Sequence, residues 1–263
     1  MSFHFKKKYG QNFLVDGNII SKITSDIDLL PNSLCLEIGA GDGRLTKELC
    51  KTFNFVLGYE IDKTVEENLY NNLKESSNYK IIFDDFLKRD IKEDLKGIEF
   101  DHIYVIANLP YYITTPIIEK IINENLDITL MRLMVQKEVG ERFCAVPGKK
   151  EYGSITVYLN YFFDIKKEFI VKRNSFIPVP NVDSMVLSFY KKANREVLNN
   201  EELFFNLVRD SFQFKRKTLR NNLKNYDLDK ITTVLKKYHL DLSIRAEALP
   251  LEVFCDIVRG LSI

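Results

Sequence analysis

The chain has 263 residues, and 45% of them are hydrophobic, so it can form one large domain with its own core and a small appendage. The formal net charge is +1, which argues against a protein that binds nucleic acid through a uniformly basic surface. The first residues lack the apolar region of a signal peptide, and no apolar run has the length of a membrane span, so we expect a cytoplasmic protein without a membrane partner.

Strand-like apolar runs alternate with amphipathic helical patterns through the first two-thirds of the chain. The predicted strands are residues 34–38, 55–59, 80–83, 103–107 and 129–135. The predicted helices between and after them are residues 45–51, 64–73, 115–123 and 137–144. This alternation predicts an α/β domain with a mostly parallel sheet and helices on both faces. Two later apolar stretches, 154–163 and 184–190, are predicted to be strands that form an antiparallel edge pair.

The last quarter of the chain has a different pattern. Residues 191–200 are polar and charged, and we interpret them as a linker that divides domain 1–195 from domain 196–263. Beyond this linker the predicted helices are residues 201–212, 217–225, 228–238 and 251–261. The sequence therefore predicts a small C-terminal all-α domain.

A glycine-rich segment, EIGAGDG at residues 37–43, ends the first predicted strand and leads into a helix. Glycines at this position let the backbone approach a ligand closely, and the crevice at the carboxyl end of such a strand is the usual ligand site of an open α/β sheet. The dinucleotide fingerprint G-x-G-x-x-G is broken here, because Arg44 occupies the position of its third glycine. The pattern favours a cofactor that lacks a pyrophosphate.

Acidic residues end the second and third predicted strands. Glu60 follows Gly39 by about twenty residues, where an acid can accept hydrogen bonds from both hydroxyls of a ribose; an exposed acid at a strand end is the alternative. Either Asp84 or Asp85 can accept the amine of an adenine ring, and Ile61 is predicted to be an apolar wall of the same site. This layout predicts a nucleoside cofactor held by Gly39, Gly41, Glu60, Ile61 and one of the two acids, Asp84 or Asp85.

S-adenosylmethionine fits this layout because its sulfonium methyl group is already activated. The protein then has to position donor and acceptor, and it needs no metal and no nucleophilic side chain. In agreement with a site without metal, Cys35, Cys50, Cys144 and Cys255 form no C-x-x-C pair and have no histidine at zinc-like spacing.

The segment Asn108-Leu109-Pro110-Tyr111 follows the predicted strand 103–107. The asparagine oxygen and a backbone carbonyl can each accept one N–H of a planar exocyclic amine, and the aromatic ring can stack on the base that carries it. These features indicate methyl transfer onto a nucleobase amino group. A turn whose tyrosine covers the core is the alternative, and these four residues alone do not decide between the two.

Basic residues cluster at two places. One cluster is Lys6-Lys7-Lys8, and the other lies in a stretch without acids between residues 211 and 226. The cations of the second cluster are Lys215, Arg216, Lys217, Arg220 and Lys224. A solvated helix face and a surface that binds RNA phosphates are both consistent with this pattern.

Taken in chain order, the motifs closely resemble those of the ribosomal RNA small-subunit adenine N6,N6-dimethyltransferases, the KsgA/Dim family. The resemblance covers essentially the whole chain. It rests on KYGQNFL at 8–14, EIGAGDG at 37–43, Glu60, Asp85, NLPY at 108–111, QKEV at 136–139, FIPVPNVDS at 176–184 and RKTLRNNL at 216–223.

The resemblance implies a Rossmann-like S-adenosylmethionine-dependent methyltransferase sheet with a small C-terminal all-α domain. The implied enzyme adds two methyl groups to each of two adjacent adenosines in the 3′-terminal hairpin loop of small-subunit rRNA, within an assembling ribosomal subunit. The family's cofactor contacts map onto Asn12, Leu14, Gly39, Glu60, Asp85 and Asn108. Its contacts to the target base map onto Asn108, Leu109, Pro110, Tyr111 and Phe176. The resemblance favours RNA binding by the cations between Lys215 and Lys224, and we expect a monomer.

Two other functions are consistent with parts of the pattern. The Erm-type methylases of large-subunit rRNA share the catalytic motifs, but the context of residues 11–14 and the stretch 216–223 favour the small-subunit family. A non-catalytic RNA-binding assembly factor or transcription factor on the same fold would not need Asn108, Pro110 and Tyr111 together with a glycine loop.

Overall fold

The structure, a computed structural model, describes residues 12–110, 113–193, 195 and 197–262. Its strands are β1 (Phe13–Leu14), β2 (Ser33–Ile38), β3 (Phe55–Tyr59), β4 (Tyr79–Ile82), β5 (His102–Asn108), β6 (Ile128–Gln136), β7 (Phe163–Val171), β8 (Phe176–Ile177) and β9 (Ser184–Lys191). Its helices are α1 (Gly17–Thr24), α2 (Arg44–Thr52), α3 (Glu66–Asn72), α4 (Ile91–Asp94), α5 (Thr114–Asn123), α6 (Lys137–Phe143), α7 (Ser154–Phe162), α8 (Glu201–Ser211), α9 (Leu219–Asn222), α10 (Leu228–Lys237) and α11 (Leu251–Leu261). None of these helices combines the length and the apolar character that crossing a bilayer requires. Tyr111 and Lys6-Lys7-Lys8 lie outside the described residues, and their predicted roles stay predictions.

The main sheet has the strand order β4-β3-β2-β5-β6-β9-β7. The pairs from β4 to β6 are parallel, which confirms the predicted α/β architecture. Strand β9 runs antiparallel to β6, with Gln136 opposite Ser184. The predicted strand 184–190 is therefore confirmed, but the predicted edge pair is wrong, because this strand pairs with β6 and β7 and not with a strand at residues 154–163.

Strand β2 lies beside β5, the central strand, and the strand order reverses at this pair. Its Cys35 lies opposite Val56 of β3 on one side and opposite Tyr104 of β5 on the other. All six residues of β2 are buried, as expected of a strand in a parallel sheet with both faces covered. Ligands of open α/β sheets bind outside the carboxyl ends of the strands at such a reversal, so the fold itself directs attention to the ends of β2 and β5.

A separate two-stranded sheet joins β1 to β8. The strands are antiparallel, with Phe13 opposite Ile177 and Leu14 opposite Phe176. Two residues from the start of the chain are thereby held beside a segment that lies about 160 residues later in the sequence. This pairing brings Leu14 and Phe176 into one apolar cluster of the core.

The chain packs as two compact units. The first extends through Gly140 and includes Lys166–Tyr190, and the second consists of Glu141–Ile165 and Lys191–Ile263. The second unit has a core of its own, formed by α7, α8, α10, α11 and the segments between them. By packing, this helical unit includes residues 141–165, which the predicted division after residue 195 assigns to the first domain.

The predicted strand 154–163 is wrong, because these residues form helix α7. Their β-branched and aromatic side chains are typical of strands, but burial against neighbouring helices decides the conformation. The Tyr161 ring lies 4.6 Å from that of Phe204, and the Tyr161 hydroxyl donates a hydrogen bond of 2.7 Å to Glu201. The edge of the sheet is formed instead by β7, which the sequence did not predict because its polar residues hide the strand pattern.

The predicted helix 217–225 is mostly wrong as well. Only the four residues of α9 are helical, and residues 213–217 form turns. Three of the five predicted RNA-binding cations, Lys215, Arg216 and Lys217, therefore lie on a turn and not on a helix.

Candidate active site

An open cleft lies at the carboxyl ends of β2, β3 and β5 in the first unit, with an empty volume of about 1040 Å³. It brings together most of the residues that the sequence predicts for the cofactor and the target base. The predicted residues in its walls are Asn12, Leu14, Gly39, Gly41, Glu60, Ile61, Asp85, Asn108, Leu109 and Pro110. Phe176 is not among the lining residues, and its side chain is fully buried in the core.

The loop between β2 and α2 needs its glycines. Gly39, Gly41 and Gly43 have φ angles of +83°, +57° and +81°, in the left-handed region that side chains disfavour. A Cβ atom at Gly41 would lie 3.2 Å from Cε1 of Phe13, and one at Gly39 would lie 3.6 Å from the carbonyl oxygen of Asn108. The loop therefore packs closely against β1 and against the end of β5.

Glu60 ties the end of β3 to the glycine loop. Its Oε2 accepts the N–H of Gly41 at 2.8 Å, and its Oε1 accepts the N–H of Asp62 at 2.8 Å. Burial raises the pKa of Glu60 above its usual value, and the hydrogen bonds from Asp62 and Gly41 oppose that rise. A carboxylate fixed in this way in the cleft wall suits the hydroxyl groups of a ribose, as the sequence predicts.

The two acids after β4 have different partners. Asp84 accepts the N–H of Asp85 at 2.8 Å and lies 3.4 Å from Arg89, and both interactions lower its pKa. Asp85 accepts the N–H of Leu87 at 3.0 Å and so begins the short 3₁₀ turn Phe86–Lys88. Asp85 also lies 3.8 Å from Lys88, so each acid has a cationic neighbour, and Asp85 remains the adenine contact that the family resemblance predicts.

Asn108 and Leu109 present two acceptors at the end of β5. The Asn108 side-chain amide donates to the carbonyl of Asn12 at 3.2 Å, which commits the nitrogen and leaves Oδ1 as an acceptor. The Leu109 N–H donates to the carbonyl of Met134 at 3.2 Å, and the Pro110 carbonyl accepts the N–H of Ile113 at 3.2 Å. Within the described part of the chain, neither Asn108 Oδ1 nor the Leu109 carbonyl accepts a hydrogen bond.

Several lining residues are not among those that the sequence predicts. Phe13 packs on the glycine loop, and it belongs to the KYGQNFL motif, so that motif was the available signal. Ile113 and Ile117 also line the cleft, but an isoleucine of a helix that faces a ligand has the same sequence pattern as one that faces the core.

Glu37 is a further residue that sequence reasoning did not single out. It ends β2 next to the glycine loop, it is fully buried, and neither carboxyl oxygen has a hydrogen-bond partner among the residues described. Burial raises the pKa of Glu37 to about 8; the nearby Thr46 hydroxyl opposes this rise and the carboxylates of Glu60 and Asp42 add to it. The sequence does not show that Glu37 is buried, because there it is only an acid within a loop motif.

The predicted RNA-binding cations lie in the second unit and are all exposed. In the described residues, none of them forms an ion pair within 4.0 Å. The Lys215 ammonium group donates to the carbonyl oxygen of Lys150, which places Lys149-Lys150 beside the cluster. The basic surface therefore includes residues that the sequence does not connect.

The chemistry of the cleft fits S-adenosylmethionine. Carboxylates of Asp42, Glu60, Asp84 and Asp85 line it, and Ile61 adds an apolar surface. A nucleoside that carries a sulfonium and an ammonium group is suited to such a mixture of acids and apolar walls.

Comparison with known proteins identifies relatives over nearly the full chain. The profile of the family described as "Ribosomal RNA adenine dimethylase" matches residues 2–262. A protein of Bacillus mycoides named "Ribosomal RNA small subunit methyltransferase A" is 38% identical over 268 residues, which cover 98% of this chain and 92% of the relative. A protein of the same name from Clostridioides difficile is 39% identical over 258 residues, which cover 96% of this chain and 89% of the relative.

Solved structures agree with this relationship. A dimethyladenosine transferase from Plasmodium falciparum superposes with a TM-score of 0.78 at 26% identity, covering 93% of this chain and 95% of the other. The 23S rRNA methyltransferase ErmE has a TM-score of 0.74 at 23% identity, with 96% of this chain and all of the other covered, which shows a common fold. Together with the family match, these likenesses confirm the predicted Rossmann-like methyltransferase sheet. The chain belongs to the ribosomal RNA adenine dimethylase family.

Proposed function

We propose that this protein transfers methyl groups from S-adenosylmethionine to the N6 amino groups of two adjacent adenosines in the 3′-terminal hairpin loop of small-subunit rRNA. The observation that carries the proposal is the pair of open acceptors at the end of β5, Asn108 Oδ1 and the Leu109 carbonyl, beside a glycine loop. Relatives named for the small-subunit enzyme support this substrate over the large-subunit RNA of the Erm type.

The cofactor is held by residues of the first unit. Asn12, Leu14, Gly39, Gly41, Glu60, Ile61, Asp85 and Asn108 form its site. When bound, S-adenosylmethionine supplies an activated methyl group. The backbone of the glycine loop and the fixed carboxylate of Glu60 then have only to orient the ligand.

Asn108 and Leu109 make the adenine amino group a better nucleophile. An adenine amino group is a poor nucleophile because its lone pair is delocalised into the ring. When Asn108 Oδ1 and the Leu109 carbonyl each accept one N–H, the nitrogen becomes pyramidal and its lone pair is directed away from the ring. Pro110 fixes the backbone at this point. The departing proton can pass to water after alkylation, so no side chain has to act as a base.

The target base needs aromatic partners, and the prediction names Tyr111 and Phe176. Phe176 is fully buried and lies opposite Leu14 in the β1–β8 pair. Stacking by Phe176 therefore requires β8 to shift, whereas in the present conformation the ring supports Leu14, a residue of the cleft wall.

RNA outside the target base is bound by Lys215, Arg216, Lys217, Arg220 and Lys224. Their exposure and lack of ion pairs among the described residues leave their charges available to phosphates. We propose that the protein acts in the cytoplasm, as a monomer, on an assembling small ribosomal subunit.

The test is transfer of labelled methyl groups to small-subunit particles from a strain that lacks this modification, followed by mapping of the product. We expect dimethylated adenosines in the 3′-terminal hairpin. Asn108→Ala should reduce the transfer rate on the order of a hundredfold or more, because the amine loses an acceptor in the reacting geometry, and should leave RNA affinity within about twofold.

Asn71→Ala is the matched control, since Asn71 is an exposed asparagine of α3 that does not line the cleft. This variant should transfer methyl groups at the normal rate. Product found only in large-subunit RNA would replace the proposal with the Erm-type function. Normal turnover by Asn108→Ala would contradict the role of the two acceptors.

A further inference from the structure

Phe214 is an exposed aromatic residue within a basic turn, which we define as residues 213–217. Of the phenylalanines that the structure describes, it alone is exposed, with 57% of its surface accessible. A phenylalanine in this position contributes little to the core and leaves a large apolar surface in water. Single exposed apolar residues are common on protein surfaces, so the ring points to a ligand only through the groups that lie around it.

Hydrogen bonds fix the backbone of the basic turn. The side-chain amide of Asn222, which is buried, donates to the carbonyl of Ser211 at 2.7 Å and to the carbonyl of Phe214 at 3.3 Å. The Lys217 N–H also donates to the Phe214 carbonyl, at 2.8 Å. The ring therefore extends from a fixed backbone. Binding of a ligand then costs little conformational entropy, because no flexible loop has to become ordered.

Three cations directly follow the ring in the sequence, Lys215, Arg216 and Lys217. No acid occurs between residues 211 and 226. The contact of Lys215 with the carbonyl of Lys150 adds Lys149 and Lys150 to the same surface. An exposed ring among cations without ion pairs in the described chain matches the two components of a single-stranded RNA site, a stacking surface and phosphate ligands.

We propose that Phe214 stacks on an unpaired base of the RNA while Lys215, Arg216 and Lys217 bind the neighbouring phosphates. The inference rests on the proposed function, because it takes RNA as the ligand of the helical unit. It adds that this unit recognises a single-stranded element, a loop or a bulge, since the bases of a duplex are already stacked on one another.

The chain contains no tryptophan, so Phe214→Trp creates a single fluorescent reporter at the ring itself. Titration with a hairpin RNA that has an unpaired loop should quench this fluorescence, because an indole that stacks on a base loses emission. Phe214→Trp should bind unmethylated small-subunit particles as tightly as the wild type. Phe214→Leu keeps the apolar surface but cannot stack, and it should bind the particles about 5- to 100-fold more weakly.

Tyr70 provides the matched control. It is an exposed aromatic residue on α3 in the first unit, with 41% of its surface accessible. Tyr70→Trp should show little quenching by the same RNA, and Tyr70→Leu should bind the particles with an affinity within about twofold of the wild type.

The outcomes separate this inference from the function on which it rests. Wild-type affinity of Phe214→Leu, or unchanged fluorescence of Phe214→Trp in saturating RNA, overturns the stacking role while wild-type methyl transfer stands. Failure of the wild type to bind the particles and to methylate them overturns the proposed function itself, and the stacking role with it.

Discussion

The cleft and the basic turn present their polar groups in opposite ways. In the cleft, polar groups are fixed by hydrogen bonds between distant parts of the chain, as where Glu60 accepts the Gly41 N–H and Asn108 donates to the Asn12 carbonyl. In the basic turn, the charges of Lys215, Arg216 and Lys217 are exposed and contiguous in sequence.

This difference determines how substitutions in each region should affect function. A site that works by geometry loses function abruptly when an atom moves by about 1 Å, and it responds little to salt. A site that works by exposed charge loses affinity in small steps, and the loss depends on ionic strength. Changes to the cleft and to the turn should therefore be distinguishable in the same assay.

The largest effect is expected from Gly41→Ala. Its Cβ atom would lie 3.2 Å from the Phe13 ring at a φ of +57°, so the loop and the ring would both have to move. We expect the rate of methyl transfer to fall on the order of a hundredfold. Cofactor affinity should fall about tenfold, as measured by calorimetry, because the backbone next to Glu60 is displaced.

Gly97→Ala controls for backbone strain. Gly97 has a φ of +81°, but a Cβ atom there would have no neighbour within 4 Å. Both alanine variants should lose about 1 kcal/mol of folding stability from the left-handed conformation, and only Gly41→Ala should lose cofactor. Equal cofactor affinity in the two variants would show that the glycine loop is not part of the site.

A smaller effect is expected from the double substitution Arg216→Ala with Lys217→Ala. Both side chains are exposed, so their removal should weaken binding to small-subunit particles on the order of tenfold at moderate salt. The slope of log K against log salt should decrease in magnitude by about 1.5. At saturating RNA, the transfer rate should stay near that of the wild type.

The control for charge is Lys51→Ala with Lys96→Ala. These lysines are also exposed, but each is paired with an acid three residues earlier, at 2.8 Å to Glu48 and 2.6 Å to Glu93. A cation that is already paired should contribute less to phosphate binding, so this variant should keep the wild-type salt slope. If the slope of log K against log salt is also unchanged in the Arg216 and Lys217 variant, the basic turn is not part of the surface that binds RNA.

Some elements of the fold and of the cleft could be predicted from the sequence. The ends of β3 (Phe55–Tyr59) and α11 (Leu251–Leu261) coincide with the predicted ends, because each has a strong apolar pattern and Pro250 directly precedes α11. Gly39, Glu60 and Asp85 could be found because each lies just beyond a strand, and parallel strands bring such positions together. Asn12 and Leu14, at β1, were predicted only from the family resemblance.

Features that depend on contacts between distant residues could not be predicted. The strand-like residues 154–163 become a helix through packing on Phe204, and Phe176 is buried by its pairing with β1. Lys150 meets Lys215 across 65 residues of sequence. In each of these cases the sequence pattern was present, but a contact with a residue far away in the sequence determined the structure.

The smallest effect on ligand binding is expected at Glu37, which does not line the cleft and should affect mainly folding stability. Glu37 is fully buried behind the glycine loop without a hydrogen-bond partner among the described residues, and burial raises its pKa to about 8 from an ordinary value near 4.5. Between these two pH values the folded protein retains a proton that the unfolded chain loses, so the free energy of unfolding decreases as pH rises through this window. Each unit of pKa difference corresponds to roughly 1.4 kcal/mol.

Glu37→Gln cannot ionise and should escape this loss. Its melting temperature relative to the wild type should rise by roughly 5 °C or more between pH 5 and pH 8, since about 1 kcal/mol shifts the melting temperature of a chain of this size by 2–4 °C. Glu99→Gln, at an exposed acid, should show no such pH-dependent gain, because removing an exposed charge changes little. If the Glu37 and Glu99 variants melt in parallel with the wild type across this range, Glu37 is not held protonated behind the cleft.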